Sequence, residues 1–338
     1  MVNHDSGAID RMRIEGFRSI RECDLELKNI NVLIGSNGAG KSNFISVFEF
    51  IRAALDKQQL EEYVGRAGMS SLLFNGPKIT EEIAIFLYSG DASYKFTFYT
   101  SAENSLFFQE TYLRGRHDIV SAHRWRVYHF HDTGSTAKVK WEHNLSNNLM
   151  FMPDASNLAA FLFRLKVHFS DHYERIITVI KLIAPFFDDF ILLPNEGNNE
   201  KIVLRWRQRG CEDVFNASQL SDGTLRFACL ATLLLQPTEL QPSAIIIDEP
   251  ELGLHPFAIG IFAEMVQKAS VDKQIILSTQ SVELLNHFEV EDVIVVNHDE
   301  MNGSRFERLD KDALAEWLEE YTLGELWNKN ILGGRLSK

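Results

Sequence analysis

The segment Gly35-Ser36-Asn37-Gly38-Ala39-Gly40-Lys41-Ser42 places glycines, a lysine and a hydroxyl in the spacing GxxxxGK[ST]. Glycines let a backbone wrap a phosphate chain with its N–H groups turned inward, and a helix starting behind such a loop adds partial positive charge. In that arrangement Lys41 reaches the β and γ phosphates, Ser42 ligates Mg²⁺, and Asn43 continues the cradle into the helix. A flexible glycine turn is the bland alternative, and the flanking sequence speaks against it. The apolar run Ile30 to Ile34 reads as a buried strand before the loop, and Asn43 to Leu55 reads as a helix with Phe44, Val47, Phe48 and Ile51 on one face.

A second cluster lies far along the chain, in Ile245-Ile246-Ile247-Asp248-Glu249-Pro250. A buried strand would deliver Asp248 to its carboxyl end to hold the shell of a magnesium ion, and Glu249 could polarise an attacking water. Alone, the same run could be a strand entering a turn; paired with the glycine loop, the chemical reading gains. Between them, Leu220-Ser221-Asp222-Gly223-Thr224-Leu225-Arg226 reads as a capped helix start, with Ser221 at the N-cap and Gly223 admitting close approach of an anion.

Together with Ser278-Thr279-Gln280-Ser281, these segments stand in the order Walker A, signature, Walker B and switch, and the set resembles the ATPase head of ABC-type proteins. More narrowly it is similar to the SMC/RecF-like group and its small prokaryotic AAA-type members. The phrases that carry the likeness are Ile14-Glu15-Gly16-Phe17-Arg18-Ser19-Ile20, Asn31-Val32-Leu33-Ile34, Glu249-Pro250-Glu251-Leu252-Gly253-Leu254-His255-Pro256, and Glu316 to Tyr321 with Leu323 to Trp327. The resemblance implies ATP and Mg²⁺ as ligands, with the phosphate loop, Arg18, Ser221 and Gly223 contacting nucleotide, Ser42 and Asp248 holding the metal, and Glu249 and Gln280 acting in hydrolysis. It also implies a head-to-tail homodimer in which Ser221 and Gly223 serve the nucleotide held by the other copy. Where many such heads carry a switch histidine, this chain has Gln280, which can bond a phosphate or a water but cannot carry a proton. The nearest candidate for a further loop glutamine is Gln109.

The elements that must position these residues follow from periodicity. Met12 to Phe17 and Asp24 to Leu27 alternate as strands; Ile83 to Leu87, Tyr94 to Phe98 and Arg124 to Tyr128 predict antiparallel β structure; Asn157 to Ala184 reads as one long helix stopped by Pro185. The last third alternates strand and helix, as a mostly parallel sheet requires. The expected fold is α/β, a P-loop NTPase of ABC/SMC-head type with a mixed sheet, an antiparallel β lobe and a helical insertion. Its expected division is an ATPase core from residues 1–60 and 217–338, a β lobe over 61–150, and a helical insertion with return strands over 151–216.

The chain has 338 residues, 45% of them hydrophobic and 24% charged, as in ordinary globular proteins. Its 3 cysteines are scattered without metal-site or disulfide spacing, which fits a reducing cytoplasm. No apolar run is long enough to span a bilayer, and no signal-peptide core opens the chain. A net charge of -13 does not indicate nucleic acid as a partner, although Arg205, Arg207 and Arg209 alternate and could form a local basic stripe.

These observations favour an ATP-hydrolysing dimeric head that drives or regulates a separately encoded effector or nuclease, in DNA maintenance or anti-phage defence, by analogy with the group. A DNA-acting repair ATPase would want a long coiled-coil arm or a basic groove. A transporter subunit fits the Phe17-Arg18-Ser19 opening poorly. A fused nuclease would need more chain than the stretch after Val296 supplies.

Overall fold

The computed structural model describes residues 8–100, 106–114, 125–195, 197–299 and 301–333. The chain divides into two units, one of Met1–Val127, Ser243–Glu249 and Asp272–Lys338, the other of Tyr128–Pro242 and Pro250–Val271.

The first unit is organised by a mixed sheet of 11 strands. Its parallel part runs through Val293–Asp299, Ile30–Ile34, Gln274–Thr279 and Ala244–Asp248 in spatial order. The central residues of these strands are apolar, the composition of parallel strands buried on both faces. Ile245, Ile246, Ile247, Ile275, Ile276, Leu277, Val32 and Leu33 are all buried. Asn31 interrupts the run and is also buried; its amide donates to the Lys28 carbonyl at 2.6 Å and its oxygen accepts from the Lys28 N–H at 2.9 Å.

The antiparallel part continues through Gly303–Arg308, Ile20–Glu26, Arg11–Phe17, Glu82–Ser89, Ala92–Thr100 and Leu106–Arg114. The strands expected from alternation near residues 83 and 94 therefore extend the sheet that carries the glycine loop. The helix Lys41–Ala54 buries Phe44, Val47, Phe48 and Ile51, the face expected from its spacing, and Phe48 meets Trp125 edge-on at 5.9 Å. The C-terminal segment also closes on this unit. Leu326 and Trp327 are buried, and the Gly324 N–H donates to Asn286 Oδ1 at 2.7 Å, whereas Trp317 stays exposed.

The second unit packs Asp222–Leu235 between Ser170–Ile183 and Pro256–Ala269. The stretch expected to be one helix over 157–184 is two, Leu158–His168 and Ser170–Ile183, parted at Phe169 with φ -141 and ψ 52. No glycine or proline marks the break. Asn157 precedes the first helix, but its side chain bonds elsewhere: Oδ1 accepts from the Met152 N–H at 3.0 Å. Two small antiparallel sheets of 3 strands complete the unit. The arginines of the expected stripe differ in their surroundings. Arg207 pairs with Asp188 at 2.8 Å, Arg205 donates to Asn195 at 3.3 Å, and Arg209 lies beyond the strand Arg205–Gln208.

Candidate active site

Register brings the first unit's polar residues to one edge of the parallel strands. Ile34 pairs with Thr279, and Asp248 pairs with Ser278. Because the strands run the same way, Gly35, Glu249 and Gln280 each emerge one step beyond a paired residue, at the carboxyl ends where open α/β sheets bind ligands.

The glycine loop is shaped by close packing at its ends. A Cβ at Gly35 would lie 2.5 Å from the Val296 carbonyl. Gly40 has φ 114, and a Cβ there would overlap the Ser304 hydroxyl. Ser304 is held by Ser19 at 2.7 Å, and Ser19 in turn accepts from Asn43 Nδ2 at 2.7 Å. Gly38, with φ 79, has open space at its Cβ position. Between them Ser36 accepts from the Ala39 N–H at 3.2 Å, and Asn37 and Gly38 are exposed.

Lys41 is buried and its ammonium donates to the carbonyls of Gly35 at 2.7 Å and Ser36 at 3.1 Å. Ser42 is exposed. The 14-residue helix behind the loop has no acidic residue in its first turn, which leaves its positive end for an anion. Asn37, Gly38, Gly40, Lys41, Ser42, Asn43 and Glu249 line one hollow of about 150 Å³.

Asp248 accepts a hydrogen bond from the Ser278 hydroxyl, and Glu249 accepts one from the Gln280 amide. Glu249 itself has φ 43, a left-handed conformation that costs a non-glycine residue about 1–3 kcal/mol. Its N–H donates to the Ser278 carbonyl at 3.0 Å, which holds the backbone there. Ser278 thus contacts both acids, a role the sequence phrase around Gln280 contains but does not single out.

Arg18 also has a positive φ of 49 and donates to the Tyr63 hydroxyl at 3.1 Å. Burial pushes the Tyr63 hydroxyl above its ordinary pKa, so it is neutral and accepts that bond. Arg18, Ser19, Asn43, Asn75, His298 and Gly303 are among the residues lining a cleft of about 540 Å³. Asn43 lines both this cleft and the phosphate hollow.

Gln109 is not brought to this edge. It lies exposed on Leu106–Arg114, one of the sheet's two edge strands, with the six strands from Ala92–Thr100 to Val293–Asp299 between it and Ile30–Ile34.

In the second unit Ser221 caps Asp222–Leu235, accepting from the Thr224 N–H at 3.2 Å. A Cβ on Gly223 would lie 2.7 Å from the Gly253 carbonyl. Lys140, nearly buried, approaches Asp222 at 3.7 Å. His255 caps its own helix, its Nδ1 accepting from the Phe257 N–H at 3.2 Å.

Comparison with known proteins supports the same fold. The solved head domain of an Smc protein bound to the C-winged helix domain of ScpA is 16% identical, with a TM-score of 0.65 over 91% of this chain and 99% of that one. The Smc head with an extended coiled coil bound to the C-terminal domain of ScpA, derived from Pyrococcus furiosus, is 14% identical, with a TM-score of 0.60 over 92% and 98%. At these identities the likeness establishes the fold. Among curated proteins none matches. Residues 30–286 match the family described as "AAA domain, putative AbiEii toxin, Type IV TA system", and the chain, an α/β protein with the fold of an SMC head, belongs to that family.

Proposed function

We propose that this protein binds and hydrolyses ATP, that two copies close head-to-tail around the nucleotide, and that this cycle regulates a separately encoded partner. The observation that carries the reading is the shared edge at which the loop leading to Lys41 leaves the strand Ile30–Ile34 and Asp248, Glu249 and Gln280 stand at the ends of the neighbouring parallel strands.

In this reading the Lys41 ammonium leaves the Gly35 and Ser36 carbonyls for the β and γ phosphate oxygens. The exposed Ser42 hydroxyl and the Asp248 carboxylate form a hard oxygen donor set suited to Mg²⁺, and the ion when bound would neutralise phosphate charge. Glu249 orients the attacking water and takes its proton, and Gln280 fixes the carboxylate's direction. The cleft of about 540 Å³ beside Asn43 and Arg18 accommodates the nucleoside. Ser221 and Gly223, at the N-terminus of a 14-residue helix, meet the γ-phosphate of the other copy.

The partner is an effector or nuclease, in DNA maintenance, anti-phage defence or a toxin–antitoxin pair. The family description and the ScpA-bound structures support a protein partner. A cytoplasmic setting is consistent with free cysteines at 23, 211 and 229. Among the described residues no helix is long and apolar enough to cross a membrane.

The test measures ATP turnover and mass in solution for wild type and Glu249→Gln, with and without DNA. The reading expects an ATP-dependent dimer that accumulates in the variant. A monomer indifferent to ATP would sink it, and DNA-stimulated turnover with DNA retention would favour direct action on DNA.

A further inference from the structure

We propose that Arg226 is a positioning residue that fixes the turn following Glu249 against the start of the Ser221-capped helix, so that both reach a second copy as one rigid surface. This rests on the dimeric reading above.

Arg226 is buried, one turn into the helix Asp222–Leu235. Its guanidinium spreads over two other segments. Nε donates to the Phe130 carbonyl at 2.8 Å, Nη2 to the His131 carbonyl at 2.9 Å and the Thr133 hydroxyl at 3.4 Å, and Nη1 to the Leu252 carbonyl. All of these acceptors are neutral. Asp222, which favours the guanidinium's charged form through space, makes its ion pair with Lys140. Burial accordingly pulls the guanidinium below its ordinary pKa.

A buried cation whose hydrogen bonds, among the described residues, all go to neutral acceptors contributes little net stability compared with apolar packing. What the planar fork does supply is geometry, because it addresses several carbonyls in fixed directions.

Packing shows which geometry is held. A Cβ on Gly223 would meet the Gly253 carbonyl at 2.7 Å, and a Cβ on Gly253, with φ 74, would meet Arg226 Nη1 at 2.8 Å. The helix start and the turn therefore interlock with no room for a side chain. The Leu254 N–H closes that turn on the Glu251 carbonyl at 2.9 Å. In the chain this turn follows directly on Glu249, and the helix start holds Ser221 and Gly223.

The experiment uses the full chain and three variants: Arg226→Lys, which keeps the charge and loses the fork, Gly253→Ala, which crowds the fork, and their combination. Nucleotide affinity should stay within about 2-fold of wild type while kcat falls about 10-fold or more in each single variant, the split expected when placement and not ground-state binding is lost. Amide exchange should quicken over residues 128–134 and 250–255, and the double variant should be no slower than the slower single one, since both act on one contact.

Wild-type kcat in folded variants, unchanged exchange, additive losses, or kcat falling only with the folded fraction would each overturn the assignment. An active wild type with unaffected variants overturns this inference alone. A wild type without ATP turnover overturns the dimeric ATPase reading and this one with it.

Discussion

The side-chain amide of Gln280 donates to the carboxylate of Glu249, across the boundary between two neighbouring parallel strands. In the proposed reading the pair joins the switch glutamine to the acid that takes the proton of the attacking water. It also explains how a left-handed glutamate keeps one direction: its backbone is held by Ser278 and its side chain by Gln280.

On the proposed mechanism, replacing Glu249 by glutamine keeps the shape and removes the base. Turnover should fall by about 10²–10⁴-fold, the usual worth of a positioned general base, with ATP affinity retained. Steady-state hydrolysis with a nucleotide-binding titration checks both halves.

Gln280→Ala should be milder. The carboxylate remains but loses its orienting bond, so kcat should drop about 10-fold with little change in KM, as for an interaction felt mainly in the transition state. A Gln280→His variant that exceeds wild type would show that the lack of a proton-carrying group at this position limits the rate.

Gly40→Ala tests the loop. Its φ of 114 disfavours any side chain, and the added methyl meets Ser304. A loss of about 1–3 kcal/mol in stability is expected from the strained backbone. Thermal unfolding without nucleotide reads that loss, and a smaller stabilisation by added ATP reads the displaced cradle.

The thiols give a pH test. Burial pushes both Cys23 and Cys229 up to about 12. Their neutral forms are favoured in the folded chain, so this contribution to stability is complete below the ordinary thiol value near 9.0 and is lost as pH rises towards about 12. At pH 8 a thiol reagent should label Cys211, which is partly exposed, and spare the other two until the chain unfolds. Rapid labelling of all three in the native protein would contradict the burial.

Local sequence carried a good deal of this. The run Ile30 to Ile34 with the glycine loop and the spacing of Phe44, Val47, Phe48 and Ile51 already specify strand, loop and helix, because backbone freedom and apolar periodicity are properties of neighbouring residues. The N-cap at Ser221 is likewise local. The break at Phe169 was not legible, since nothing in the residues around it forbids a continuing helix; tertiary packing of the two helices decides it.

The specific long-range contacts lay outside the reach of local sequence. That Ser304 would wall Gly40, that Gln109 would fall on an edge strand, and that Gln280 would meet Glu249 depend on strand order and register. The sequence by itself determined which chemistries the chain could offer, because residue type and local spacing define donors, acceptors and charge. Only the tertiary structure decided which of them face one another, because a hydrogen bond acts over about 3 Å and that distance is set by how remote strands pair.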